Sequence, residues 1–218
     1  MSFIEFDGVS KAFGNRTVVE NLSLQIERAE RLVLFGPSGC GKTTVLRLLA
    51  GLEVPSQGRI RIDGVVVADT GTTLVPPEER GVGMVFQDLA LWPHMTVRGN
   101  LMFGLDAKRV PRKDAEVRVQ ELLTRVGLES RMDAKPSQLS GGEQQRVAVV
   151  RALVLQPSIL LMDEPLSSLD DELKQAIGAD LLRLQKHFGF TLIYVTHDRG
   201  ESEMLASRTC RMRDGRLE

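Results

Sequence analysis

Gly36-Pro37-Ser38-Gly39-Cys40-Gly41-Lys42-Thr43 has the spacing G-x4-G-K-[ST]. Glycines at these positions let consecutive backbone N–H groups turn inward around an anion. A helix that follows points its positive end at the same place. Such a loop supports phosphate binding, with Lys42 reaching the β- and γ-phosphates and the Thr43 hydroxyl ligating Mg2+. A glycine-rich turn can fit the pattern by accident. Here the loop lies between a continuous apolar run, Leu32 to Phe35, and a segment whose Val45, Leu48 and Leu49 share one helical face. That strand-loop-helix context is the one the chemistry requires.

A second group of candidates ends another apolar run. Ile159 to Met162 is followed by Asp163 and Glu164. A parallel strand delivers its last residues to the carboxyl edge of the sheet, where the phosphate loop also lies. There Asp163 suits holding Mg2+ through water, and Glu164 suits orienting or deprotonating an attacking water. Solvated charges at a strand end are the plain alternative. A third group, Leu139-Ser140-Gly141-Gly142-Glu143-Gln144-Gln145, opens a helix, with Ser140 as N-cap and Glu143 as its capping-box partner. A well-capped helix would suffice as an explanation, but two glycines in a first turn cost ~1 kcal/mol each. Close approach of the backbone to a phosphate is the reason we expect for them.

These groups need a scaffold. Phe3 to Phe6 and Leu22 to Ile26 alternate as half-buried strands, and Ile60 and Ile62 precede an Asp63-Gly64 turn and Val65 to Val67. Leu32 to Phe35, Ile159 to Met162 and Thr191 to Val195 read as strands buried on both faces. Leu173, Ile177, Leu181 and Leu184 mark a helix between the last two, which predicts a parallel right-handed crossover. From Asp88 to about Leu155 the strand signal fades. Val119, Leu122, Leu123 and Val126 give a helix that Gly127 caps, and another helix runs from about Gly142 to Leu155, stopped by Pro157. The fold class expected is α/β: a P-loop NTPase core with a mostly parallel sheet, an N-terminal antiparallel β subdomain and an inserted α-helical subdomain. The division is 1–87 and 156–218 for the core with its antiparallel part, and 88–155 for the helical insertion.

Composition narrows the function. The 218 residues carry 28 basic and 29 acidic side chains, so binding to nucleic acid through bulk charge is not expected. Aromatics at 5% are too few for a base-stacking platform. Apolar runs such as Ile159 to Met162 fall far short of the ~20 residues that cross a bilayer. The start, MSFIEFDGVS, lacks the features of a secretory signal. Cys40 and Cys210 form neither a metal-spacing pair nor a disulfide framework, which favours the cytoplasm.

In order along the chain stand the phosphate loop, Gln87, LSGGEQQR at Leu139 to Arg146, LLMDEP at Leu160 to Pro165, SSLD at Ser167 to Asp170 and THD at Thr196 to Asp198. Together they resemble the nucleotide-binding subunit of an ATP-binding cassette transporter over essentially the whole chain. The LSGGE type of signature is the most specific element, because ordinary phosphate-loop ATPases lack it. VPPEERGVGMVFQDLALWPHMTV, Val75 to Val97, is similar to the importers of maltose, polyamines, ferric iron, sulfate and thiamine.

The resemblance implies ATP and Mg2+ as cofactors and ATP hydrolysis coupled to transport, and it assigns residues. Glu164, His197 and Gln87 are catalytic, with His197 on the γ-phosphate. Thr43, Gln87 and Asp163 belong to the metal. Phe13 stacks on adenine, although a core aromatic near a strand end is an equal reading. Gly36, Pro37, Ser38, Gly39, Cys40, Gly41, Lys42, Thr43 and Thr44 hold the phosphates. Ser140, Gly141, Gly142 and Gln144 cover the nucleotide of a second copy in a head-to-tail, ATP-dependent dimer. Asp170 bridges the copies or simply caps a helix.

Integral membrane subunits are the other implied partners. They dock near Leu91, Trp92 and Met95, residues for which exposure and burial are equal readings. The full system would add an extracytoplasmic substrate-binding protein, and the location would be the cytoplasmic face of the inner (plasma) membrane, peripheral, with no nucleic acid bound. Two local departures stand out: Glu143 replaces the commoner glutamine, and Arg199 stands where glutamine is usual. Because the sequence given stops at Glu218, the C-terminal regulatory domain of the maltose type is not expected, and the short thiamine-type importers are expected to be the closer model. Cassette ATPases that act on DNA or the ribosome usually fuse two cassettes or insert coiled coils or zinc modules, which this sequence lacks. A nucleotide-gated binder without turnover is disfavoured by an intact Glu164 and His197.

Overall fold

The computed structural model describes residues 2–218. Its elements, in order, are β1 (Ile4–Phe13), β2 (Arg16–Ile26), β3 (Arg31–Phe35), α1 (Lys42–Ala50), β4 (Gln57–Ile62), β5 (Val65–Asp69), β6 (Thr72–Thr73), β7 (Val82–Val85), α2 (Val97–Ala107), α3 (Arg112–Arg125), α4 (Gly141–Leu153), β8 (Ile159–Asp163), α5 (Asp171–Phe188), β9 (Thr191–Thr196), α6 (Arg199–Leu205), β10 (Arg208–Arg213) and β11 (Arg216–Leu217). Two sheets form. One has the order β2-β1-β4-β5-β6 and is antiparallel throughout. The other has the order β11-β10-β3-β9-β8-β7 and is parallel except for the β10–β11 pair. The α/β class, the antiparallel N-terminal part and the parallel crossover from β8 through α5 to β9 all agree with the sequence reading.

Strand composition explains the layering. In β3, β8 and β9 successive apolar residues enter different cores. Val33, Leu160, Met162, Leu192 and Tyr194 pack with the helices α2 to α5. Leu32, Leu34, Ile159, Leu161, Ile193 and Val195 pack with α1 and the antiparallel sheet. The parallel sheet is therefore a wall shared by two separate hydrophobic bodies, which is why its strands read as unbroken apolar runs.

Helix ends follow local chemistry. Thr96, Ser140, Asp170 and Asp198 cap α2, α4, α5 and α6, each accepting from the backbone N–H three residues on. Gly51 and Gly189 close α1 and α5 in the left-handed region, at φ 83 and 69. No strand falls between residues 88 and 155. Among the described residues no helix is long and apolar enough to cross a membrane.

Candidate active site

The register of the parallel sheet brings the motifs together. Val85 lies opposite Met162, Asp163 opposite Val195, and Phe35 opposite Thr196. The residues that come next, Gln87, Glu164, His197 and the loop from Gly36, therefore leave the sheet at one edge. A cleft of about 300 Å³ opens there, lined by Val18, Ser38, Gly39, Gly41, Lys42, Thr43, Thr44, Gln87 and Glu164. Val18 was invisible to sequence reasoning, since it sits in an ordinary alternating strand.

Close approach dictates the loop glycines. A Cβ on Gly41 would stand 2.6 Å from the Val18 carbonyl oxygen, and one on Gly36 would stand 2.2 Å from the Met212 carbonyl oxygen. Gly39 and Gly41 also adopt φ of 80 and 106, which favours glycine. Lys42, buried at the first turn of α1, donates to the Gly36 and Pro37 carbonyls at 2.7 and 2.9 Å and lies 3.7 Å from Glu164 Oε1. The Cys40 side chain is buried in the core below the loop, so only its backbone can serve a ligand.

The carboxylates differ in setting. Asp163 is buried at the end of β8 and accepts from the Thr43 hydroxyl at 2.9 Å. Burial pushes its carboxyl above the usual aspartate range; the Thr43 bond opposes this and the nearby Glu164 charge adds to it. A buried carboxylate this weakly compensated, beside a hydroxyl and a phosphate loop, fits a cation. Among the described residues no three His, Cys, Asp or Glu side chains converge as an all-protein metal cage. Mg2+ fits that arrangement, because it takes one or two carboxylates together with phosphate oxygens and waters. Glu164 follows in the left-handed region at φ 45, held by its N–H to the Val195 carbonyl at 3.0 Å. Its Oε2 meets His197 Nδ1 at 2.9 Å. The His197 side chain remains half exposed.

The remaining candidates sit elsewhere. Phe13 is 47% exposed at the end of β1, with the Lys11 ammonium 4.8 Å from its ring, so it is not a core aromatic. Ser140 and Glu143 form the expected capping box, Gln144 Nε2 donates to the Pro136 and Leu139 carbonyls, and Asp170 accepts from the Leu173 N–H. Gly142 is buried, and a Cβ there would stand 3.2 Å from Leu173 Cδ2, a tight contact that a small shift of the leucine would relieve, so α4 also packs closely on α5 at this point. Gly141 is exposed. Neither Ser140 to Gln144 nor Asp170 lines the phosphate-loop cleft.

Leu91, Trp92 and Met95 are half-buried, and Leu91 packs on the helical core. The Trp92 ring lies 4.6 Å from that of Phe103, with the Arg151 guanidinium 4.9 Å from its centroid. Buried Asn100 holds the segment, accepting from Trp92 N–H and donating to the Trp92 and Thr96 carbonyls. Phe103, 50% exposed, is the most open ring of this patch and went unnoticed in the sequence because it belongs to an apolar run, Leu101 to Phe103.

Residues 19–167 match the family model described as "ABC transporter". The chain is 49% identical over 214 residues to a spermidine/putrescine import ATP-binding protein, PotA, of Oleidesulfovibrio alaskensis, covering 98% of this chain and 56% of that protein. It is 48% identical over 214 residues to a Fe(3+) ions import ATP-binding protein, FbpC, of Rhizobium etli, covering 98% and 59%. It is 46% identical over 219 residues to a trehalose/maltose import ATP-binding protein, MalK, of Thermococcus litoralis, covering 100% and 59%. The chain thus spans less than two thirds of the length of these relatives. Among solved structures, an ATP-binding cassette described as a dimer in a post-hydrolysis state bound to ADP and Pi superimposes with a TM-score of 0.86 at 32% identity, covering 99% of this chain and 96% of that one.

Proposed function

The chain belongs to the ABC transporter family, and from that premise we propose that it binds and hydrolyses ATP to power import through partner membrane subunits. The observation that carries this is the meeting of Lys42, Thr43, Asp163, Glu164, Gln87 and His197 at one sheet edge, around a loop in which Gly36 and Gly41 leave no room for a Cβ. The loop backbone and the N-terminus of α1 bind the phosphates, and Lys42 leaves its carbonyl partners for their oxygens. Thr43 and Asp163, with Gln87, would hold Mg2+, which when bound neutralises charge on the phosphate oxygens. Glu164 takes or orients the proton of the attacking water, and His197, bonded to it, fixes its direction and faces the γ-phosphate. Phe13, exposed beside the cleft-lining end of β2, offers its ring to the adenine.

Ser140, Gly141, Gly142, Gln144 and Asp170 stand apart from this cleft, so in our reading they act on the nucleotide of a second copy packed head to tail. A C2 pair then holds two ATP molecules in its interface. We assign 1–87 and 156–218 to the nucleotide core and 88–155 to the helical subdomain that meets the membrane subunits through Trp92, Met95 and Phe103, on the cytoplasmic side. Relatives at nearly equal identity are named for polyamine, ferric iron and sugar import. We therefore place cargo choice in other components, including an extracytoplasmic binding protein.

Glu164→Gln tests the proposal. The isosteric amide keeps the fold, so ATP binding should persist while phosphate release falls by about 10²–10⁴-fold. With hydrolysis blocked, ATP should drive a dimer on size exclusion. Turnover close to that of the unsubstituted chain would remove Glu164 from the catalytic role.

A further inference from the structure

Behind His197 lies a polar network that ties both flanks of the Thr196-His197-Asp198 motif to residues outside every motif, Lys174 and Glu201. Lys174, one turn into α5, places its ammonium 2.6 Å from Asp198 Oδ2 and 3.3 Å from Glu201 Oε1. Glu201 is 2% exposed. Its Oε2 accepts from the Tyr194 and Thr196 hydroxyls, both at 2.8 Å, while its Oε1, which accepts no hydrogen bond among the described residues, lies 3.3 Å from the Lys174 ammonium. Thr196 Oγ1 in turn accepts from the Asp198 N–H at 2.9 Å, and Asp198 Oδ1 accepts from the Glu201 N–H at 3.1 Å. Both neighbours of His197 are thus pinned by side-chain bonds, and both sets of bonds end on one ammonium.

We propose that Lys174 is a positioning residue that sets His197, and through it Glu164, for water attack. The step rests on the reading of this site as an ATPase. The physical reason lies in Glu201. Burying a carboxylate this deeply is costly unless a cation faces it. Without Lys174, Glu201 loses the cation that faces it and turns toward water, and its hold on Thr196 weakens. Asp198 simultaneously loses the partner that keeps its side chain over the first turn of α6. The imidazole between them then has no fixed direction, and its 2.9 Å contact with Glu164 is no longer enforced. The nucleotide cleft itself is lined by other residues, so binding should be spared.

The test uses the full chain with Lys174→Met and Lys174→Arg. Lys174→Met should lower kcat about tenfold or more with the KM for MgATP within threefold, and Lys174→Arg should restore at least half of the rate. The chain has only three histidines, His94, His187 and His197, so the ring ¹⁵N signals of each can be followed separately by NMR. In Lys174→Met those of His197 should move while those of His94 and His187 stay. Should Lys174→Met fail to fold, Asp198→Asn keeps the helix cap, loses the charge and should give the same pattern. A kcat within twofold of the unsubstituted chain, a loss confined to KM, or unmoved His197 signals would overturn the proposal. If the unsubstituted chain hydrolyses no ATP, the functional reading falls, and the His197 signals alone decide whether Lys174 sets that ring.

Discussion

Arg80 offers the most direct test of how the phosphate-binding helix is anchored. Its guanidinium is 4% exposed and donates to the carbonyls of Val75, Leu48, Leu49 and Val67 at 2.9 to 3.0 Å. No carboxylate pairs with it among the described residues. Its charge is met instead by the last turn of α1, the negative end of the helix whose other end opens the phosphate loop. Gly51 makes the space, since a Cβ there would stand 2.7 Å from Arg80 Cζ. Consider Arg80→Met, which keeps an unbranched apolar stem. Leu48 and Val67 carbonyls retain backbone donors, namely Gly51 for the first and Leu74 and Val75 for the second. Those of Leu49 and Val75 do not.

The orphaned buried carbonyl of Leu49 costs about 1–3 kcal/mol and the half-buried one of Val75 less, a gross loss of about 2–4 kcal/mol. Relief from burying a cation without a carboxylate offsets part of that, so the net expectation is about 2 kcal/mol. At about 2–3 kcal/mol per M of urea, the unfolding midpoint should drop by roughly 1 M. Urea unfolding followed by circular dichroism and by the fluorescence of Trp92, the only tryptophan, measures this from two positions in the fold. Lysine should rescue little, because one ammonium cannot serve four carbonyls spread over three segments. A midpoint for Arg80→Met within about 0.3 M of the unsubstituted chain, at equal slope, would refute the reasoning. The bonds would then return no more than the buried charge costs.

Two further outcomes are expected. Phe13→Ala should weaken ATP binding by about 1–2 kcal/mol, roughly tenfold, in titration calorimetry, with an unchanged melting temperature because the ring is already exposed; undiminished affinity would remove Phe13 from the adenine site. Glu143 has its carboxyl held below the ordinary value of 4.5, first by the Ser140 N–H and then by Arg131. A depressed acid stabilises the fold above its unfolded pKa and loses that contribution as pH falls through its folded value. The melting-temperature gap between the unsubstituted chain and Glu143→Gln should therefore be constant from neutral pH down to about pH 5 and close below 4.5. A gap that does not narrow at all as pH falls below 4.5 would show that the charge has no part in it.

Much of the site could be read from residue order because its parts are local. The phosphate loop, the acids after Ile159 to Met162 and the Thr-His-Asp after β9 each combine a strand signal with the chemistry that follows it, and parallel pairing then brings them to one edge. What could not be read are partnerships between distant segments. Arg80 reaches carbonyls some thirty residues back, 31 and 32 positions away. Lys174 meets an aspartate 24 positions on. Periodicity says which face of a helix is buried, not what covers it. For the same reason the packing of Leu173 against Gly142 was not foreseen, and Leu91 was left open between exposure and burial when it lies half-buried against the helical core.

The wall formed by the parallel sheet has a mechanical consequence. The phosphate loop is braced from one side, by the Val18 and Met212 carbonyls and the side chains beneath Cys40. The chain beyond Gln87 runs off to the other side, into the body built on α2 to α5. Units packed as separate bodies open with separate free energies. Under the proposed function, strain from a partner on the helical side would reach Gln87 and α4 before it reached the loop from Gly36 to Thr43. Substitutions on the antiparallel side of the sheet would then act first on how the loop is held, and those on the helical side first on how Gln87 is set.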